Sequence, residues 1–258
     1  MNPRICVLRA DGTNCDAETA YAFDKAGGQA ELVHVNELRT KARNLRDYQI
    51  LAIPGGFSYG DDIASGKILA VELISYLRSE IEEFVGRSDT LVIGICNGFQ
   101  VLVRTGLLPF RNMGNMQATL TANDSGRFEC RWVSLLPELA SNCVFTKNIE
   151  GPIELQIAHG EGKFFTDDVT LGQIEANHLV ALRYAEDYKI AQSYPANPNG
   201  SLNNIAGICD QTGRIFGLMP HPERFVELTQ HPNWRRSTTA QPQGLQIFQN
   251  AISFTEGA

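Results

Sequence analysis

Leu91-Val92-Ile93-Gly94-Ile95-Cys96-Asn97-Gly98-Phe99-Gln100 is the stretch of sequence that decides the fold. Its first five residues are apolar, which predicts a buried strand over residues 91–95, and residues 99–104 predict the start of a helix. A cysteine between two glycines at a strand-to-helix junction has the form of a nucleophile elbow. The junction therefore predicts an α/β fold and a reactive thiol at Cys96.

There is a physical reason for the two glycines at this junction. A sharp turn forces its central residue into a strained backbone conformation, and small neighbours let the chain and a ligand approach closely. At the start of a helix, the aligned peptide dipoles also favour the thiolate, which is the reactive form of cysteine. Taken alone, the five-residue pattern fits a buried structural cysteine equally well.

Around this junction, strand-like and helix-like patterns alternate. In the first half, strands are predicted over residues 4–9, 30–35 and 48–53, and helices over 14–26 and 63–85. In the second half, shorter strands are predicted over residues 117–121, 128–134, 153–158, 179–185, 205–209 and 214–218, and a helix over 245–254. Strands separated by helices favour a parallel sheet with helices on both faces. We therefore predict one domain over residues 1–258, with a mostly parallel sheet that is extended by mixed strands.

Composition narrows the class of protein. The chain has 258 residues, 43% of them hydrophobic, which is enough for a sizeable core. The formal charge of −7 argues against binding to nucleic acid or to a membrane surface. No stretch resembles a signal peptide or a membrane span, so we expect a cytoplasmic protein. The six cysteines include no C-x-x-C pair, which predicts reduced thiols and no metal site.

A thiolate nucleophile needs a base, and His221 is the best candidate. It lies in Met219-Pro220-His221-Pro222-Glu223-Arg224, directly after an apolar strand, so it is expected at the carboxyl edge of the sheet. Glu223, two residues further along an extended chain, would lie on the same side and could orient the imidazole. Cys96, His221 and Glu223 then form a catalytic triad, although without Cys96 the segment would fit a rigid surface turn.

Other candidates for these two roles are weaker. Cys15 also lies near a predicted helix start, but Asp11 and Asp16 would raise its pKa. We therefore expect a loop or first-turn residue whose surroundings shape the rim of the pocket. His159 stands in a glycine-rich turn that allows either close approach of a ligand or a hairpin bend. The remaining histidines lack a comparable carboxylate neighbour in the sequence; they are His34, His178 and His231.

Acyl transfer also needs N–H donors for the negatively charged tetrahedral intermediate. The loop Pro54-Gly55-Gly56-Phe57-Ser58-Tyr59-Gly60-Asp61 follows a predicted strand and lacks the spacing of a phosphate-binding loop. A plain tight turn is the alternative for this loop. We predict the N–H groups of Gly56 and Asn97 as the oxyanion hole.

Six motifs in order resemble the class I glutamine amidotransferase family, over about residues 4 to 254. They are Gly12-Thr13-Asn14-Cys15-Asp16, the glycine loop at residues 54–61, Cys96-Asn97-Gly98-Phe99-Gln100, His159-Gly160-Glu161-Gly162, Asn197-Pro198-Asn199-Gly200-Ser201 and the His221 segment at residues 219–224. Within the family they are most similar to the branch that serves the ATP-dependent synthetase making phosphoribosylformylglycinamidine in purine biosynthesis.

The resemblance implies a three-layer α/β/α fold and hydrolysis of glutamine to glutamate and ammonia. Cys96 corresponds to the nucleophile, His221 and Glu223 complete the triad, and Gln100 corresponds to a glutamine-pocket residue. The implied partners are a large synthetase subunit, which uses ATP and magnesium, and a small third subunit. No cofactor is implied for this chain itself.

The sequence departs from the family pattern in two places. Arg9-Ala10-Asp11 replaces a short apolar approach ending in proline, which leaves the role of the Gly12 turn open. The segments at residues 111–148 and 230–243 are longer than in compact members of the family, which resembles the glutaminase domain of fused, single-chain enzymes. Met1 directly before the first strand instead favours a separate subunit.

Three other functions remain open on sequence grounds. One is an intracellular cysteine peptidase or chaperone, although such proteins place their base soon after the elbow and here no histidine follows Cys96 before His159. A second is a silent subunit that only senses glutamine, and a third is an amidotransferase that serves a pyrimidine, guanine or histidine pathway.

Overall fold

The computed structural model describes residues 2–61, 63–236 and 241–257. Its strands in chain order are β1 (Arg4–Arg9), β2 (Gln29–His34), β3 (Ile50–Ile53), β4 (Leu91–Ile95), β5 (Thr119–Thr121), β6 (Glu129–Pro137), β7 (Ile153–His159), β8 (Lys163–Phe165), β9 (Val180–Glu186), β10 (Lys189–Ile190), β11 (Ile205–Cys209) and β12 (Ile215–Leu218). The helices are α1 (Asp16–Lys25), α2 (Val35–Arg39), α3 (Lys67–Tyr76), α4 (Arg78–Gly86), α5 (Asn97–Thr105), α6 (Asp168–Ala176) and α7 (Gln243–Glu256).

One large sheet runs through the molecule in the order β2-β1-β3-β4-β12-β11-β9-β6-β7, with β10 paired to β9. The first five strands of this order are parallel to one another. The remaining pairings are antiparallel. Because parallel strands end at the same edge, the segments that follow β1, β3, β4 and β12 meet there.

Helices cover both faces of the parallel half. On one face α1 packs against α7, with the rings of Phe23 and Phe248 edge to face at 4.9 Å. On the other face α5 lies over β4 and β12, and α3 packs beside it. All five residues of β4 are buried, as expected for a central strand covered on both sides. The predicted α/β class with three layers around a partly mixed sheet is confirmed.

Two predicted elements are wrong in detail. The single helix predicted over residues 63–85 is two helices, α3 and α4, because Leu77 leaves the helical region with φ −122° and ψ 8°. The strand predicted over residues 117–121 does not extend the large sheet. Its observed part, β5, pairs with β8 in a separate two-stranded sheet.

The two apparently longer segments have different outcomes. Residues 111–148 contribute β5 and β6, so about a third of this length builds sheet. Residues 237–240 of the segment 230–243 lie outside the described residues. Among the helices that the structure describes, none combines the length and apolar character needed to cross a bilayer.

Candidate active site

Cys96 lies in the turn between β4 and α5, with φ +52° and ψ −105°. Few residues other than glycine adopt such a positive φ, so the backbone here is strained. A Cβ on Gly98 would overlap the carbonyl group of Ile53, and a Cβ on Gly94 would lie 2.5 Å from the Gly98 carbonyl oxygen. The two glycines therefore let the turn pack directly against β3, as the elbow pattern predicts.

His221 and Glu223 form a buried pair at the end of β12. Nδ1 of His221 lies 2.6 Å from Oε1 of Glu223, and each residue is 1% exposed. The His221 N–H donates to the carbonyl of Gln156 at 2.7 Å, which fixes the segment to β7. The predicted extended connection is wrong, since Pro222–Arg224 forms a 3-10 turn, yet this turn still brings the carboxylate to the imidazole.

The imidazole of His221 lies beside both cysteines of the site. A Cβ on Gly55 would lie 2.9 Å from Cε1 of His221, 3.2 Å from Sγ of Cys15 and 3.4 Å from Cβ of Cys96. Burial disfavours a charged imidazole, but the Glu223 carboxylate and the Cys96 thiolate outweigh it and raise the pKa of His221 well above its ordinary value. Because Nδ1 is bonded to Glu223, Nε2 is left to exchange a proton with a sulfur.

Next to the sulfurs, the glycine loop is held by the Gly12 turn. The Phe57 N–H donates to the Gly12 carbonyl at 3.1 Å, and the Cys15 N–H donates to the Gly55 carbonyl at 3.3 Å. Gly56 has φ +130°, and a Cβ there would lie 2.7 Å from the backbone nitrogen of Asn14. Within the described chain no acceptor takes the Gly56 N–H. The turn whose role the sequence left open thus supports the loop that presents this N–H.

Asn97, the other predicted oxyanion residue, is the first residue of α5, where a backbone N–H has no acceptor within the helix. Its side chain is fully engaged elsewhere. Its Oδ1 accepts from Ser58 at 2.6 Å, and its Nδ2 donates to Asp61 and to Gln100, each at 3.1 Å. The Gln100 side chain in turn donates to the carbonyl of Glu161 at 2.6 Å.

One cavity of about 510 Å³ lies at the carboxyl edge of the parallel strands, and its lining, among the described residues, includes neither Asn97 nor Glu223. It contains the predicted residues Gly56, Cys96, Gln100 and His221, and it also contains Asp61. Apart from its place in the glycine loop, no local pattern singled out Asp61. A cavity of about 720 Å³ elsewhere is larger, but its lining, among the described residues, includes no histidine.

Cys15 is buried and lines the cavity, directly before α1, as predicted for a loop or first-turn residue. It precedes the first turn of α1, and Nη2 of Arg224 donates to its sulfur at 3.3 Å. Its pKa is raised, as predicted, but mainly by burial and then by Glu223 and Glu18. Asp16 instead pairs with Arg9 at 2.5 Å. Arg224 is a site residue that sequence reasoning missed, although it ends the His221 motif.

Two of the other histidines have a carboxylate partner that was not predicted. Nε2 of His34 lies 3.8 Å from Oδ1 of Asp11. His34 caps α2 by accepting from the Asn36 N–H, and His178 lies in an exposed turn. His231 has the closer carboxylate partner of the two, since its Nε2 lies 3.1 Å from Oε2 of Glu154. Glu154 is distant in sequence, which hid this pair. His159 is buried and lines the same cavity as Cys96.

One group of side chains has the spacing of a metal site. Ligand atoms of Cys15, Glu18, His221 and Glu223 lie within 4.8 Å of one another. Arg224 already donates to both Cys15 and Glu18, and His221 is bonded to Glu223. The donor atoms are thus engaged in an ion-pair network with a cation, Arg224, at its centre.

Comparison with known proteins agrees with this geometry. The family model of the CobB/CobQ-like glutamine amidotransferase domain matches residues 2–255. A phosphoribosylformylglycinamidine synthase subunit PurQ of Dehalococcoides mccartyi is 48% identical over 97% of both chains. A protein of the same name from Treponema denticola is 47% identical over 88% of this chain and 89% of its own. Both relatives are named as subunits and align with this chain over most of their own length.

The fold comparison gives the same result. A chain in the structure of PurLQS from Thermotoga maritima superposes with a TM-score of 0.75 and 32% identity, covering 98% of this chain and 99% of its own. The family model spans nearly the whole sequence, and relatives well above 30% identity align from end to end. The chain belongs to the CobB/CobQ-like glutamine amidotransferase family.

Proposed function

We propose that this chain hydrolyses L-glutamine to glutamate and ammonia and passes the ammonia to the synthetase that makes phosphoribosylformylglycinamidine in purine biosynthesis. The family supports the first half of this proposal, and the names of the relatives support the second. The observation that carries the chemistry is the convergence of a strained Cys96 and a carboxylate-bound His221 on one cavity.

In the first step, the Cys96 thiolate attacks the side-chain carbonyl carbon of glutamine. The N–H groups of Gly56 and Asn97 stabilise the oxygen as it becomes negative, which is the interaction that lowers the barrier most in acyl transfer. His221, held by Glu223, donates its proton to the leaving nitrogen, so ammonia departs and a γ-glutamyl thioester remains.

In the second step, water replaces ammonia. His221 takes a proton from the water, which attacks the thioester carbon, and the same oxyanion hole stabilises the second tetrahedral intermediate. Collapse of this intermediate releases glutamate and restores the Cys96 thiolate. Splitting one amide hydrolysis into two acyl transfers replaces a difficult step by two easier ones.

The charge around the cavity suits a free amino acid. Asp61 and Glu161 line it, and their carboxylates suit the α-ammonium group of glutamine. Gln100 is fixed between Asn97 and the Glu161 backbone and would define the width of this end. A long peptide would leave these carboxylates without a cationic partner, which favours glutamine over the peptidase alternative.

The remaining functional assignments follow from this role. The partners are a large synthetase subunit, which holds ATP and magnesium, and a small third subunit. This chain needs no cofactor of its own and functions as one domain in the cytoplasm, without nucleic acid or membrane. The structure of PurLQS, in which a similar chain occurs, supports the assembly.

Reconstitution with the synthetase tests the proposal. With formylglycinamide ribonucleotide and ATP, the synthetase should form the amidine from ammonium chloride alone, but should need this chain to use glutamine. The Cys96→Ala variant is the matched control. It should block the glutamine-dependent reaction and leave the ammonium-dependent reaction unchanged.

Two results would overturn the pathway assignment. One is co-purification of this chain with a different synthetase, and the other is amidine formation from glutamine without it. We also expect weak glutaminase activity in the isolated chain, because uncoupled hydrolysis would waste glutamine. Full activity without the partner would contradict this expectation.

A further inference from the structure

His159 is a second histidine of the cavity, and its orientation is fixed from one side. Nδ1 lies 3.1 Å from Oδ1 of Asn123. Nδ2 of Asn123 donates to the carbonyls of Arg127 and His159 at 2.9 and 2.8 Å, and its Oδ1 also accepts from the Gly162 N–H at 3.0 Å. Because that amide oxygen can only accept, Nδ1 of His159 must carry the proton.

The opposite edge of the ring therefore presents a lone pair. Nε2 of His159 is buried and has no hydrogen-bond partner within the described chain, and the residue is 3% exposed. The backbone of Gly162 lies against the ring, where a Cβ would overlap it. A buried acceptor without a donor is costly, and it marks a place where a ligand group can bind.

This acceptor stays neutral throughout the working pH range. Burial, followed by the nearby positive charge of His221, lowers the pKa of His159 to about 3. A neutral imidazole whose Nδ1–H is already bonded can accept at Nε2 but cannot donate there.

His159 also lies at the reacting end of the cavity. The carbonyl oxygen of its neighbour Ala158 lies 3.8 Å from Sγ of Cys96. Since His159 lines the same cavity as Cys96, we place the leaving group of a substrate bound at Cys96 against this acceptor.

We propose that His159 is a specificity-determining residue, whose Nε2 accepts a hydrogen bond from the side-chain amide N–H of glutamine and disfavours the carboxylate of glutamate. The inference rests on the proposed glutaminase function. An amide offers two N–H donors at this position, whereas a carboxylate offers only lone pairs. The site thus binds the substrate and repels the product at the same atom, which promotes release of glutamate.

Two substrates with the same acyl group test this role. L-glutamine has N–H donors on its leaving group, and L-glutamate γ-methyl ester has none. Replacing His159 by leucine removes the acceptor, so the ratio of kcat/KM for glutamine to that for the ester should fall about 10- to 100-fold. The inhibition constant of glutamate should fall as well, because the repelling lone pair is gone.

Two further variants keep the test decisive if the leucine variant does not fold. His159→Gln places an amide oxygen near the position of Nε2 and should keep a preference closer to that of the wild type. Asn123→Asp puts a negative charge beside Nδ1, which stabilises an imidazolium that donates at Nε2, so glutamate should inhibit more strongly.

The outcomes separate this inference from the proposed function. An equal loss of activity on both substrates in the leucine variant would assign His159 a purely structural role and overturn the inference. An unchanged substrate ratio together with an unchanged glutamate inhibition constant, in any folded variant, would also overturn it. A wild-type chain that hydrolyses neither substrate, alone or with its synthetase, would instead reject the proposed glutaminase.

Discussion

Cys15 and Cys96 occupy equivalent positions on two helices: each immediately precedes the first turn, Cys15 of α1 and Cys96 of α5. Both also lie close to Gly55: a Cβ on that glycine would lie 3.2 Å from Sγ of Cys15 and 3.4 Å from Cβ of Cys96. Their backbones differ, since Cys15 has φ −100° and Cys96 has φ +52°. Only Cys96 lies both at a helix N-terminus, where a thiolate is stabilised, and in a strained turn that presents a nucleophile. Proximity to His221 alone therefore does not identify the nucleophile.

Labelling distinguishes these two thiols. A glutamine-like electrophile, such as a diazo or chloro ketone analogue, should form one adduct, on Cys96. The Cys96→Ala variant should lose about 10⁴-fold or more in kcat, because a covalent route then has no nucleophile. Cys15→Ser is the matched control and should lose far less. Mass-spectrometric mapping of the adduct to Cys15 would contradict the assignment.

The main parts of this site could be predicted from short runs of sequence. The elbow at Cys96 and the His221-x-Glu223 pair are local patterns, and each also follows a strand, so the topology of a parallel sheet predicts that they meet. Arg224 and the carboxylate partner of His231 could not be assigned in this way. Their contacts join residues 206 and 77 positions apart in the chain, and no local pattern encodes such a distance.

Prediction of the fold from local sequence patterns is limited in the same way. Strands β1, β4 and β11 have the predicted bounds, because uninterrupted apolar runs between turn residues leave few alternatives. The break between α3 and α4 was not predicted, since the apolar residues continue across it. No residue near Leu77 is a helix breaker. The side chain of Arg78 donates to the Met113 carbonyl at 2.9 Å, and this is a tertiary contact that the local sequence does not indicate. Helix α6 was missed for lack of a long apolar face, although Asp167 caps it.

Replacing Glu223 by glutamine should change the pH profile as well as the rate. In the wild type, Glu223 raises the pKa of His221, so the imidazolium persists above its ordinary pKa of about 6.5 and is lost only as pH rises through the higher value. Without this carboxylate, less opposes the effect of burial, so the pKa of His221 falls. The basic limb of kcat/KM should move to lower pH, and kcat should fall about 10²- to 10⁴-fold.

Stopped assays of glutamate release between pH 5 and 10 would measure this profile. The stability linked to His221 has the same sign: it is fully present below the unfolded pKa and disappears as pH rises through the raised folded pKa. A Glu223→Gln variant whose basic limb coincides with that of the wild type would show that this carboxylate does not control the imidazole.

Replacing Gly55 by alanine should change the packing of the catalytic side chains without changing the fold. The added methyl would press on Cε1 of His221 at 2.9 Å and on the two cysteines at 3.2 and 3.4 Å. We expect a fall in kcat of about 10²-fold, because the proton donor is displaced from Cys96. Gly172→Ala is the control: nothing lies within 4 Å of its Cβ, and it should stabilise α6 by about 0.5–1 kcal/mol. Equal activity in both variants would show that Gly55 does not position His221.

The Gly12 turn offers a test of the oxyanion hole that leaves the triad intact. Gly12 has φ +83°, and a Cβ there would overlap the Phe57 carbonyl oxygen. Gly12→Ala should therefore displace the loop that carries Gly56, and loss of one oxyanion donor lowers kcat by about 10²- to 10³-fold. Alkylation of Cys96 by iodoacetamide needs no oxyanion hole and should keep its wild-type rate.

Gly126→Ala provides a control matched for backbone strain. Gly126 also has a positive φ, +64°, but nothing lies within 4 Å of its Cβ. In both variants an alanine must adopt a left-handed conformation, which costs about 1–2 kcal/mol. If the two variants lose thermal stability equally but Gly12→Ala loses more kcat, the extra loss of activity comes from displacement of the loop. If Gly12→Ala slowed alkylation and glutamine hydrolysis by the same factor, the turn would support Cys96 itself, and Gly56 would have to be replaced as an oxyanion donor in the mechanism.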